Sequence, residues 1–402
     1  MSGRLNVIVS GLIGQYPIGG VTWDYIQYLL GLAQLGHDVV YVEDSEQWPY
    51  NPREGGCGRE AEFNAAYLEE VMSRFGLADR WAYRFPGGAL PTGERFTERW
   101  YGMSDERRRS AIERADLLIN VSSGIGPIER YREIPWLAYV DTDPVFTQIR
   151  SVQDERFRAH LDAHDMHFTY GECPSEVVPS TGHRWYPMRK PIAIDEWHPG
   201  APRRDAFTTV MNWTSYDDVV WNGRAYGQKD AEFLRFVELP MMVQPTVLEL
   251  AIGGGITRRV PRDLLLRAGW RLVDPLLCCA DVDSYRRYIE SSMGEWTVAK
   301  NGYVQGQVGW FSGRTACYLA AGRPVVVQDT GFAPIVPTGD GLLTFRTLDE
   351  AAEGVREVTA NWDRHARAAR EIAHAYFDAP QVVRRLLERC HARTVPRALG
   401  SA

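Results

Sequence analysis

Too few cysteines, and in the wrong places, exclude a chain stapled by disulfides or built on zinc. Cys57, Cys173, Cys278, Cys279, Cys317 and Cys390 are scattered over 402 residues without a CxxC spacing. They read as reduced thiols of a cytoplasmic protein, and no metal site is expected. Long apolar runs are missing as well. None approaches the ~20 residues that span a bilayer. The apolar stretch from Leu5 follows Arg4 but is interrupted by Gly11 and Gly14 and runs into Gln15-Tyr16-Pro17 without a small-residue cleavage site, so a soluble, unprocessed chain with no stable membrane insertion is expected. There is no excess of positive charge. With 45 Lys and Arg against 52 Asp and Glu, the net charge is -7. That gives no general attraction for a polyanion, so nucleic acid is not expected as a partner and any phosphate is held locally. A GxGxxG turn is absent too. The first glycines read Gly11-x-x-Gly14, which excludes a dinucleotide fingerprint there and leaves no cofactor expected.

What is present is the pattern of a two-domain α/β enzyme. The length exceeds what one core usually fills, and 45% hydrophobic with 24% charged residues is ordinary for a globular chain. Short β-branched runs alternate with helical patterns, the signature of parallel sheets covered by helices. Strands are expected at Leu5 to Ser10, Val39 to Val42, Leu117 to Val121, Trp136 to Val140 and His167 to Tyr170. A second series follows at Thr208 to Met211, Val247 to Ala251 and Pro324 to Gln328. Helices are expected over Trp23 to Leu35, Lys229 to Phe236, Thr315 to Ala321, Leu348 to Tyr376 and about Pro380 to Arg393, whereas Gln47 to Glu98 gives one helix amid Pro and Gly clusters. Prolines 187, 191, 199 and 202 break regular structure between the two series. The expected division is 1-190 and 191-402, two Rossmann-like domains with a cleft between them.

The stretch Gly322 to Leu343, GRPVVVQDTGFAPIVPTGDGLL, is similar to the donor-binding half of GT-B glycosyltransferases, particularly those resembling the family 4 retaining enzymes. A helix ending in Ala-x-Gly, a PVV strand, a loop of the form Asp-x-Gly-x-x-Pro and a following Gly-Leu-Leu agree in order and spacing. Gly19-Gly20, before a helix ending in Leu35-Gly36-His37-Asp38-Val39, resembles the glycine loop and "GHxV" ending of the same enzymes. The resemblance implies GT-B architecture, with an acceptor-binding N-terminal domain and a donor-binding C-terminal domain. It also implies a nucleotide-diphosphate sugar donor and a small-molecule acceptor bearing a hydroxyl. One feature departs from the family. Its members carry two glutamates eight positions apart, the second on the helix before the PVV strand and contacting the donor ribose. Glu295 suits the first by position, but eight residues on stands Tyr303, and the helix site five before Gly322 is Cys317.

Several loops carry residues suited to that chemistry. Ser312-Gly313-Arg314-Thr315 leads into a helix, whose first amides are unpaired and partly positive and so suit a phosphate, with Arg314 to neutralise it. A capping role for Ser312 or Thr315 is the plainer alternative. Asn212 and Ser215 end a strand, and Arg224 and Lys229 follow as candidate diphosphate cations. Both also suit an ordinary surface. Asp329-Thr330-Gly331-Phe332 lies at the carboxyl end of the last strong strand, where ligand-contacting loops gather, or is a simple turn. Glu295 is the nearest substitute for the missing ribose carboxylate. On the N-terminal side Gly19 and Gly20 form the acceptor-side loop. Asp143 is the leading candidate for the base that takes the acceptor's proton, ahead of Asp24, which also suits a helix dipole, and of the loop residue His183. A nucleotide-sugar epimerase, a pseudo-glycosyltransferase and a noncatalytic binding protein remain as alternatives, since fold does not dictate function.

Overall fold

The computed structural model describes residues 3-89, 94-254 and 257-394. Its first half is an eight-stranded sheet built from β1 (Asn6–Ser10), β2 (Asp38–Glu43), β3 (Trp81–Phe85), β4 (Arg99–Gly102), β5 (Leu117–Val121), β6 (Trp136–Asp141), β7 (Met166–Thr169) and β8 (Trp185–Pro187). The spatial order is β8-β7-β6-β5-β1-β2-β3-β4. Every neighbouring pair is parallel except β3 with β4. The second half is a six-stranded, all-parallel sheet of β9 (Ala206–Asn212), β10 (Val247–Gly253), β11 (Arg271–Val273), β12 (Gly294–Thr297), β13 (Val325–Gln328) and β14 (Leu342–Phe345), in the order β11-β10-β9-β12-β13-β14. Central strands such as Leu117–Val121 and Val325–Gln328 are buried along their whole length. This is why they read as unbroken apolar runs rather than alternating ones.

Six helices position the site: α1 (Gly19–Gln34), α2 (Lys229–Phe233), α3 (Val282–Ser291), α4 (Gly313–Ala320), α5 (Trp362–Tyr376) and α6 (Ala379–Thr394). Helix α1 ties the halves together. Its Trp23 indole donates to the carbonyl of Val282 at 3.0 Å. A Cβ at Gly19 would stand 2.1 Å from the carbonyl oxygen of Asp281, and one at Gly31 would stand 2.9 Å from the backbone of Ala379. Both glycines permit approaches that no larger residue allows. The chain crosses between halves twice, and the crossings lie side by side: Ile192 N–H donates to Phe377 at 2.7 Å and Ala379 N–H to Ile192 at 2.8 Å. Helix α6 thereby returns to pack on α1 of the first half.

The expected strands are all present. Among the strands that periodicity missed, β3 lies in the Gln47 to Glu98 region and β4 directly after it, and β11, β12 and β14 belong to the second sheet; the stretch around Pro187 is the edge strand β8, a position where proline is tolerated because its missing N–H faces outward. The expected helix Leu348 to Tyr376 is two helices, broken at Asn361. Among the described residues no helix is long and apolar enough to cross a membrane, and all six cysteines are free.

Candidate functional site

Between the two sheets, at the carboxyl ends of their strands, lies a cleft of about 640 Å³. Residues that follow β5 (Ser122), β6 (Thr142) and β7 (Tyr170) face those at the ends of β9 (Asn212) and β10 (Gly253), and α1 contributes Gly20, Asp24 and Tyr25. In parallel sheets the strand ends are where loops diverge and leave a crevice, so the position follows from topology.

Arg314, Lys300 and Lys229 gather on the second half's wall, which Arg262 also lines. Arg314, in the first turn of α4, points its guanidinium down into the sheet. Its Nε donates to Glu295 Oε1 at 2.5 Å, Nη1 to the Val210 carbonyl at 2.8 Å and Nη2 to Thr297 Oγ1 at 2.8 Å. Burial is the largest influence and lowers this guanidinium, but the Glu295 carboxylate with Tyr285 and Tyr318 together outweigh it, and the net shift is upward. Glu295 lies in the central strand β12 and is fully buried. One of its carboxylate oxygens accepts from Arg314, and the other, Oε2, has no hydrogen-bond partner among the described residues.

Lys300 follows β12 and reaches across to the first half. Its Nζ lies 3.0 and 3.2 Å from the two carboxylate oxygens of Asp143 and 2.7 Å from the Tyr216 hydroxyl. The Tyr216 and Tyr303 hydroxyls donate to the same carboxylate. Asp143 is therefore held by one ammonium and two phenols. It is outside the cavity lining.

Lys229 differs from both. It opens α2, lines the cleft, and has no hydrogen-bond or ion-pair partner among the described residues. Burial first, then the charges of Arg314 and Lys300, hold its ammonium well below the ordinary lysine range, with Glu295 opposing them. An unpartnered amine beside two other cations is a place prepared for an anion.

The start of α4 completes that place. Ser312 stands at the N-cap, yet among the described residues its side chain makes no capping hydrogen bond, so the capping alternative fails for Ser312. The first-turn amides at Gly313 and Arg314 stay at the cavity wall with their partial positive charge. Thr315 points away. Its hydroxyl is buried and unpartnered among the described residues. Gly313 also marks how near the halves come, since a Cβ there would lie 3.0 Å from Asp24 Oδ1 and 3.2 Å from Lys190 Cγ. Asp24 is half-exposed and lines the cleft, with Lys190 Nζ 2.8 Å from its carboxylate.

The other expected site residues divide between the cleft and places outside it. Asn212, Ser215 and Gly20 line the cleft, whereas Gly19 is used for the contact with Asp281. Arg224 lies on an exposed hairpin and bonds Gln305. His183 bonds Asp162 at 2.7 Å and Thr181, away from the cleft. Asp329 accepts from Arg346 at 2.6 Å and from Gly331 N–H at 2.9 Å, closing a turn. Thr330 donates to the Trp310 carbonyl, and Phe332 packs edge-on against Phe311. The 329-332 loop thus supports Gly309 to Ser312 from behind and is not in the cavity lining. Cys317 is buried toward α1, where Gln27 approaches its sulfur at 3.9 Å. Lys300 and Lys190 were not anticipated. Lys300, directly after the apolar Trp296 to Ala299 and before an Asn-Gly pair, carried a usable signal, a lone cation at the carboxyl end of a strand.

No protein-family model matches the chain, and no curated protein matches it. Solved structures do. The Anabaena protein HepE in complex with UDP-glucose is 12% identical with a TM-score of 0.55 over 96% of this chain and 99% of its own. An alpha-glucosyltransferase in complex with UDP and a 13-mer DNA is 11% identical with a TM-score of 0.54, again over 96% and 99%. Sucrose-phosphate synthase from Thermosynechococcus elongatus is 12% identical with a TM-score of 0.51 over 96% and 99%. The chain has the GT-B fold of these glycosyltransferases.

Proposed function

We propose that this chain is a glycosyltransferase that moves a sugar from a uridine diphosphate donor to a small hydroxyl-bearing acceptor. The observation that carries this reading is the unpartnered Lys229 ammonium facing the same cavity as the uncapped start of α4. When the bond between sugar and diphosphate breaks, negative charge grows on the leaving phosphate. Fixed amide dipoles stabilise that charge without reorganising at the moment of reaction, and the Lys229 amine, protonated as the diphosphate binds, adds its positive charge beside them. Arg314 contributes through its backbone position, while its side chain shapes the floor. UDP accompanies HepE and the alpha-glucosyltransferase in their solved structures, which supports uridine as the base.

On this reading residues 1-190 hold the acceptor and 191-402 the donor. Asp24 is then the carboxylate that receives the acceptor's proton, because it faces the cavity with half its surface open, whereas Asp143 is enclosed. The alpha-glucosyltransferase was solved with DNA, but a net charge of -7 here favours a small acceptor over a polyanion. Free thiols throughout suit the cytoplasm.

Thermal shift with nucleoside diphosphates tests the donor. UDP at 100 times its Kd should stabilise the protein by about 2.7 kcal/mol, and Lys229→Met should remove most of that gain. No UDP response in the wild type, together with no release of UDP from any UDP-sugar offered, would overturn the proposal.

A further inference from the structure

Behind the cleft, where the chain crosses from the first half to the second, lies a separate cavity of about 500 Å³. Its wall brings together Arg203 of the crossing segment, Arg287 of α3 and Arg323 of the turn between α4 and β13, with Arg204 beside them. Arg204 is engaged with Glu249 at 2.8 Å. The other three have no ion pair among the described residues. Arg323 is the most telling of them. It is 1% exposed, and its Nε and Nη1 have no hydrogen-bond partner among the described residues. A buried guanidinium normally finds a carboxylate, because leaving its donors unmade costs stability. The one carboxylate in the lining, Glu290, is shared by the backbone N–H and the Nδ1 of His198, at 2.9 and 3.0 Å. Cys278 and Tyr288 complete the titratable groups of the wall.

We propose that this arginine-lined cavity is a second anion site, distinct from the donor cleft, that takes a phosphate group, either as free inorganic phosphate or on a small phosphomonoester. Three guanidiniums from three different elements suit a compact dianion whose oxygens accept in several directions. A single carboxylate would leave donors unmet. Burial, with the nearby charge of Arg203, pulls the Arg323 guanidinium down to about 10 despite Glu290, the mark of a cation lacking its counter-charge. The proposal does not depend on what occupies the donor cleft.

Calorimetry tests it with inorganic phosphate and with glycerol phosphate, titrated into the wild type, Lys229→Met, and the double variant Arg203→Ala/Arg287→Ala. Arg203 and Arg287 are exposed, so the double variant should keep the wild-type melting temperature. Binding to the wild type that survives in Lys229→Met and weakens at least tenfold in the double variant is the expected result. Tighter binding of the ester assigns an esterified ligand and tighter binding of the ion a free one, and either supports the site. Loss in Lys229→Met with retention in the double variant would place the phosphate in the donor cleft and overturn the proposal, as would absence of binding to the wild type. Arg323→Met adds a readout from the buried residue: phosphate binding lost with the melting temperature held or raised is expected, whereas binding at wild-type strength would remove Arg323 from the site.

Discussion

Lys300 and Asp143 meet across the cleft at 3.0 Å, one from the end of a strand in the second sheet and the other from the end of a strand in the first. Both are largely shielded from water, so the pair links the halves where the substrates are proposed to bind. Removing one partner leaves the other's charge in a poorly solvated place. Asp143→Asn and Lys300→Met should each destabilise the protein, and a double-mutant cycle by denaturant unfolding should show coupling of about 0.5 to 3 kcal/mol. Additive effects would make the pair incidental.

Arg314→Ala should act mainly on folding. Its three nitrogens are spent on Glu295, Val210 and Thr297, and truncation leaves Glu295 buried without its cation, a loss of about 3 to 5 kcal/mol for a broken buried pair. Glu295→Gln keeps the volume and should cost less. Urea unfolding of both variants beside UDP calorimetry checks this, with a larger fall in unfolding free energy than in binding free energy expected for Arg314→Ala.

That outcome differs from what Arg314 promised as a residue at the start of a helix, and the difference shows where the sequence stops being informative. Apolar runs such as LNVIVS and PVVVQ announce buried parallel strands, because burial on both faces leaves no polar alternation. The glycine at 313 and the helix after it were equally legible. Which way a long side chain points was not. Arg314 turns to the sheet because Glu295, nineteen residues earlier, lies under it, and no local pattern records that neighbour. Asp143 followed the strand as expected, yet Tyr216, Lys300 and Tyr303, which enclose it, come from the other half. β3 and β4 were hidden because Pro and Gly clusters lie before and between them, and because β3 joins the sheet through β2, far away in sequence, with β4 added at its edge.

Lys229 makes UDP binding depend on pH. In the free protein its folded pKa lies below the unfolded value, so the unfolded chain binds more protons between the two, and stability rises with pH across that window. A bound diphosphate reverses the local balance and favours the charged ammonium. Binding should therefore take up protons, seen as an apparent enthalpy that varies with the buffer's ionisation enthalpy, and affinity should fall as pH rises. Lys229→Met should abolish the uptake and raise the melting temperature in the absence of ligand. Proton release on binding would contradict the assignment.

Asp24 and Asp143 make opposite predictions for turnover. Asp24 faces the cavity from α1, 2.8 Å from Lys190, and a Cβ at Gly313 would come within 3.0 Å of it. The acceptor's hydroxyl therefore has to approach the donor beside this carboxylate. As the proton acceptor it should contribute about 10² to 10⁴-fold to the rate, so Asp24→Asn should lower kcat by that order while the Michaelis constant for the UDP-sugar stays near wild type. Lys190 is buried, so Asp24→Asn also lowers the melting temperature by leaving that ammonium with the Asp24 backbone carbonyl as its remaining hydrogen-bond acceptor among the described residues. Asp143→Asn should instead raise the donor Michaelis constant, since Lys300 loses its anchor, and should lower the melting temperature. Steady-state kinetics at saturating acceptor on the two variants separates the roles. If Asp143→Asn alone abolished turnover while stability held, proton transfer would belong to Asp143 in a conformation with its phenol and lysine partners withdrawn.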